Sequence, residues 1–241
     1  MTTHDPAVHS TSPQSCALSA ELCAAMADIH RRGWCDGTGG NFSCVSSREP
    51  LQLLMAPSGV DKGNVKAADL ITVDRQGAVL EGSGRASAET RLHLTIVDTT
   101  GAGAVLHTHS QAATLLSRHA TVQSGQGQPA SEPKTDQPTA VRYLVIEGLE
   151  MLKGLEGINS HNHKIAIPIL DNDQDLDRLS ERCRPHLREA PYSLLICGHG
   201  LYAWGRDLKM ARRHLEILEF LLEQQWRQLL LLANTSAGAL V

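Results

Sequence analysis

The run GAGAVLHTHS, residues 101–110, decides how the rest of the chain is read. Ala104, Val105 and Leu106 form an apolar lead-in, and His107 and His109 follow in alternation. On an extended strand residues i and i+2 share a face, so this pair presents two imidazoles to one point. The lead-in places them at the end of a buried strand spanning 104–109. Neutral imidazoles are costly there unless something satisfies them. Two arrangements would do so: hydrogen bonds to neighbouring groups, or a divalent ion shared by both rings. Ser110 then suits the cap of a helix running to about Arg118.

Working outward, the patterning predicts alternating short strands and helices. Upstream, a helix over 19–32 has Ser19 as its cap, Leu22, Ala25, Met26 and Ile29 on one face, and Gly33 as its stop. GTGGNFSCVS (37–46) leads from a glycine turn into a strand. Further strands are expected at 51–56, 70–73 and 78–80, with Pro57-Ser58-Gly59 as a turn and a helix over 88–100. Downstream come strands at 143–146 and 165–170 and a helix from Asp175 towards Leu187. A hairpin, 193–197 and 201–204, turns at Gly198-His199-Gly200, and an amphipathic helix runs from Asp207 to about Leu232. The fold class is a single α/β domain with a mixed, largely antiparallel sheet flanked by helices. Residues 1–17 read as a mobile tail, 18–241 as the domain, and the Gly/Pro-rich stretch 121–139 as a flexible loop.

Composition removes whole classes of function. Lys and Arg total 22 against 26 Asp and Glu, and there are only three Trp, three Tyr and two Phe. Neither a basic footprint nor a stacking platform for nucleic acid is present. No apolar run approaches the roughly 20 residues needed to span a bilayer, and the first residues do not form a secretory signal. The six cysteines contain no CxxC pair and read as reduced thiols of a cytoplasmic protein.

A metal needs a third ligand, and His199 is the candidate, held out from the backbone between two glycines; its other reading is a solvent-exposed turn histidine. Three histidines with an open position are the usual catalytic zinc arrangement, although the ligand type admits other first-row metals. His161 and His163, in the polar turn NSHNHK, read as solvated. His30, His93, His186 and His214 read as solvated or satisfied on helices, and His4 and His9 fall in the tail. There is no GxxxxGK[ST] stretch, so a nucleoside-triphosphate loop is not expected. Gly39, Gly40, Asn41, Ser58, Gly59 and Ser87 form small polar loops. They read either as plain turns or as backbone and hydroxyl donors to a phosphate. Lys62 reads as a solvated lysine rather than an added charge for that phosphate.

Taken together, GTGGNFS, APSG, SAET, the strand with HTH and HGLYAWG resemble the class II aldolase/adducin family, in consistent order over about residues 18–232. EMLKG at 150–154 with HGLYAWG favours a dehydratase branch, a hydro-lyase of methionine salvage, over sugar-phosphate aldolases and epimerases. The resemblance implies one zinc ion per subunit on His107, His109 and His199, Glu150 as acid/base, and Glu89 as ligand or base. It also implies a phosphate pocket built from the six loop residues above, a sugar-phosphate substrate and a homotetramer with sites at subunit boundaries. The alternatives are an aldolase or 4-epimerase acting on another ketose phosphate, and a noncatalytic scaffold like the adducin head, which lacks the zinc histidines. The 121–139 insertion departs from the family's shorter connection.

Overall fold

The computed structural model describes residues 13–123 and 141–238. Along them run α1 (Pro13–Arg31), β1 (Asn41–Arg48), β2 (Leu51–Met55), β3 (Ile71–Asp74), β4 (Val79–Glu81), α2 (Thr90–Thr100), β5 (Ala104–Thr108) and α3 (Gln111–Gln123). The second half adds β6 (Arg142–Glu147), β7 (Lys164–Leu170), α4 (Leu176–Cys183), β8 (Ser193–Ile196), β9 (Gly200–Gly205) and α5 (Leu208–Gly238). The strands form one sheet in the order β4-β3-β2-β1-β5-β9-β8-β7-β6. β7 and β8 pair in parallel and the other neighbours antiparallel, as the mixed, largely antiparallel expectation requires.

Alternation along β5 sorts the molecule into layers. Leu106 faces a core built with Leu22 and Met26 of α1, Leu116 of α3 and Leu215 and Leu218 of α5. Val105 faces the opposite core, with Leu92 and Ile96 of α2, Leu179 of α4 and Trp204 of β9. β5 is therefore central, buried on both faces, and its histidines emerge where the sheet ends.

Local rules account for most element ends. α2 stops at Gly101, left-handed at φ 75°, whose N–H donates to Val97 O. Ser110 Oγ accepts from Ala113 N at 3.1 Å, the expected cap of α3. Asp175 caps α4 by accepting from Arg178 N at 3.0 Å, and Pro185 confines residues 184–186 to a 3-10 turn, so this helix ends earlier than expected. Ser19 is not a cap. α1 begins at Pro13, because Cys16, Ala17 and Leu18 continue the helix and Leu18 packs on the core one turn before Leu22; Ser19 Oγ donates back to Ser15 O at 2.9 Å. Of the expected tail, residues 13–17 thus belong to α1 and 1–12 lie outside the described residues. Of the expected loop, 121–123 close α3 and 124–139 lie outside them. β5 ends at Thr108, one residue short of His109. α5 continues past Leu232, leaving Leu230, Leu231 and Leu232 exposed. All six cysteines are free, and no helix of the described residues is long and apolar enough to cross a membrane.

Candidate metal centre

The strand register builds the site. His107 lies opposite Asn41 of β1 and Tyr202 of β9, so the three side chains share one row of the sheet. The Tyr202 ring stacks on His107 at 3.9 Å between centroids. His107 Nδ1 donates to Leu201 O at 3.0 Å, which fixes the tautomer and leaves the Nε2 lone pair available. His109, just past the strand, is anchored by its N–H to Trp34 O at 2.8 Å, and its Nε2 sits 2.9 Å from His107 Nε2. His199 arrives from the β8–β9 turn with Nε2 at 3.4 Å from His107 Nε2. Its neighbour Gly200 is obligatory: a Cβ there would lie 2.0 Å from Thr108 O.

A carboxylate completes the group. Glu89, at the N-terminal end of α2, brings Oε1 to 2.9 Å from His199 Nε2 and 3.6 Å from His107 Nε2. Asn41 Nδ2 donates to Glu89 Oε2. One ligand atom from each of Glu89, His107, His109 and His199 lies within 4.8 Å of every other. Tetrahedral coordination with metal–nitrogen bonds of about 2.0–2.1 Å requires ligand atoms about 3.3–3.4 Å apart, which the observed spacings bracket. Three convergent imidazole nitrogens and a carboxylate suit zinc or another first-row divalent ion. Burial disfavours an ionised Glu89, yet the imidazoles of His107 and His199 beside it hold its carboxyl below the usual range. Burial, reinforced by the adjacent rings of His107 and His199, pushes His109 down to about 4, keeping it a neutral donor at ordinary pH.

The cluster opens on a cleft of about 540 Å³ walled by Ser58, Arg85, Ser87, Glu89, Asn172 and His199, among others. Among the residues the sequence suggested for phosphate, Ser58 and Ser87 therefore line the site, and Gly59, at φ 78°, borders open space in the same turn. Gly39 and Gly40 also pack against the histidines. A Cβ on Gly39 would come 2.9 Å from His109 Nδ1, and one on Gly40 would come 2.8 Å from His107 O, so both seat the histidines. Asn41 Nδ2 is bonded to Glu89. Glu150 is not in the cluster: it is 69% exposed on a 3-10 turn packed against α5, paired with Lys153 and with His161 at 3.8 Å. Its neighbour Met151 lines a separate groove of about 670 Å³ between α1 and α5.

The histidine readings hold, and the lysine reading changes. His93, read as solvated or satisfied, is fully buried and hydrogen-bonded, to Ser43 Oγ at 2.7 Å, and lies edge-on to Tyr202. His214 is a core residue on Trp204 O at 2.8 Å, stacked with Tyr192. Lys62 is 1% exposed. His161 and His163 are exposed, as expected. Sequence reasoning missed Arg85, although it stands two residues before Ser87, and Glu219, a buried carboxylate behind the site that accepts from Thr108 Oγ1 at 2.5 Å. The pairing of Thr108 with α5 carries no local signal.

Comparison with known proteins agrees with this geometry. The family model described as Class II Aldolase and Adducin N-terminal domain matches residues 20–226, and the chain belongs to that family. Methylthioribulose-1-phosphate dehydratase of Sodalis glossinidius (strain morsitans) is 41% identical over 218 residues, covering 89% of this chain and 98% of that protein. The enzyme of the same name from Pectobacterium carotovorum subsp. carotovorum (strain PC1) is 40% identical, covering 88% and 95%. Among solved structures, L-fuculose-1-phosphate aldolase from Thermus thermophilus superposes with a TM-score of 0.63 at 25% identity, covering 93% of this chain and 98% of that one.

Proposed function

We propose that this chain is a zinc-dependent hydro-lyase of L-methionine salvage. It converts 5-methylthioribulose 1-phosphate into 5-methylthio-2,3-dioxopentyl phosphate and water. The observation that carries the reading is the convergence of His107, His109, His199 and Glu89 in a chain that matches dehydratases over nearly their whole length. His107, His109 and His199 would hold the zinc ion, which would supply Lewis acidity to the substrate.

The remaining chemistry falls to the protein. A carboxylate must take the C3 proton, and a proton must reach the C4 oxygen as the carbon–oxygen bond breaks; the enol left behind tautomerises to the diketone. Glu89, pressed between His107 and His199, is a ligand or a short-range base. Glu150 is the acid/base of the resemblance. Its exposure on the α5 side suits donation across a subunit boundary within a homotetramer. Phe220 and the exposed Leu230–Leu232 run on α5 support such a contact. Ser58, Gly59 and Ser87 receive the phosphate, while Gly39, Gly40 and Asn41 hold the ligands in place. The six free thiols are in keeping with the cytoplasm.

Metal analysis and product assay test the proposal together. The zinc-loaded protein is offered 5-methylthioribulose 1-phosphate and L-fuculose 1-phosphate separately. Diketone from the first and no aldehyde from the second are expected; the reverse favours the aldolase reading. His107→Ala is expected to lose zinc and turnover together, and retention of stoichiometric zinc refutes that ligand. A metal-free wild-type protein with no activity after zinc addition favours the adducin-like scaffold.

A further inference from the structure

Lys62 ranks with the largest fully buried side chains of the protein. Its Nζ donates to Thr38 O at 3.2 Å and to Val60 O at 3.0 Å. These carbonyls belong to different turns. Thr38 immediately precedes Gly39, Gly40 and Asn41, which seat His109, His107 and Glu89. Val60 stands two residues after Ser58, which lines the cleft. One ammonium thus ties the metal-side turn to the cleft-side turn.

The protein leaves that charge poorly compensated. Among the described residues no carboxylate forms an ion pair with Lys62. Its neighbour Asp61 is engaged by Gly63 N, Asn64 Nδ2 and His30, and Glu89 by its histidines and Asn41. Burial accordingly pulls the Lys62 ammonium below the usual lysine range, with Cys35, Glu89 and Asp61 drawing against it. A neutral donor could join two carbonyls without the desolvation cost of a buried cation. The charge therefore has a use beyond the tie.

We infer that Lys62 is the buried cationic floor of an anion subsite: it locks the 38–41 and 58–60 turns together, and its charge is balanced by a phosphate monoester seated in the cleft. The inference rests on the proposed reading that a phosphate ester binds there. Lys62 is a positioning residue, acting through the two turns and through its field, with no contact to the reacting atoms.

Equilibrium binding of inorganic phosphate to the zinc-loaded protein, read by calorimetry, tests this without turnover. Lys62→Gln keeps a donor for the carbonyls and removes the charge; Lys62→Arg keeps the charge. In Lys62→Gln, phosphate binding is expected to weaken at least tenfold, while zinc content and melting temperature stay near wild type. Lys62→Arg is expected to recover part of the loss. Undiminished phosphate binding in Lys62→Gln overturns the inference, whereas a wild-type protein that binds no phosphate overturns the functional reading beneath it. Should the variants not fold, lysine side-chain NMR of the wild-type protein decides. Added phosphate must raise the pKa of the buried lysine, and an unmoved titration refutes the role.

Discussion

Replacing Glu219 by Gln will alter how stability depends on pH. Glu219 is 2% exposed on the sheet-facing side of α5 and accepts from Thr108 Oγ1 at 2.5 Å. Burial pushes its carboxyl from 4.5 up to about 7, with hydrogen bonds from Ser110 and Thr108 pulling the other way. Between those values the folded chain still holds a proton that the unfolded chain has released. The associated stability is complete below the unfolded pKa and is lost as pH rises through the folded one. With each pKa unit equal to about 1.36 kcal/mol, the wild-type chain loses about 2.5 kcal/mol through this group between pH 5 and pH 8. Gln matches the neutral acid in shape and does not titrate. The stability of Glu219→Gln relative to wild type should therefore rise by about 2.5 kcal/mol over that interval.

Urea unfolding of both metal-stripped proteins, at equal concentration and several pH values, measures the difference by linear extrapolation. Every other titrating group is common to the two chains and cancels. A difference that stays flat from pH 5 to pH 8 refutes the argument, because it means that Glu219 ionises in the folded protein as readily as in the unfolded one.

Other consequences concern the site and the core. Glu150→Gln and His107→Ala chains, each inactive alone, should regain activity when co-assembled, approaching about a quarter of the wild-type rate if each site draws Glu150 from one neighbour at random. No recovery, with mixed oligomers verified by mass spectrometry, places Glu150 in its own subunit's site or outside the chemistry. Gly39→Ala pushes a methyl group against the His109 ring and should weaken zinc binding by about 10–100-fold in a chelator competition, with the melting temperature of the metal-free chain little changed. Leu106→Ala empties a fully buried position between α1, α3 and α5, and should cost about 2–5 kcal/mol in denaturant unfolding at any pH.

Much of the architecture was legible because it rests on short-range rules. The i, i+2 spacing of His107 and His109 does bring their Nε2 atoms to 2.9 Å, even though His109 lies outside the strand. Gly101, lacking a Cβ, ends α2 in the left-handed conformation, and Ser110 and Asp175 begin helices through side-chain caps. Ser19 misled because capping residues also occur inside helices, where a hydroxyl can return to the carbonyl four residues earlier. Lys62 misled for a related reason: a polar residue surrounded by polar neighbours in sequence can still be enclosed when distant elements close over it.

The sequence by itself determined which side chains could bind a metal, the local geometry of each, and the alternation that sorts Val105 from Leu106. Tertiary structure alone decided how closely Glu89 approaches the three histidines, that Asn41 orients it, that Glu219 lies beneath Thr108, and that Glu150 stands apart. Local periodicity fixes the face on which a residue lies. What that face meets depends on strand order and register, which arise from packing the whole sheet between α1, α3 and α5 on one side and α2 and α4 on the other.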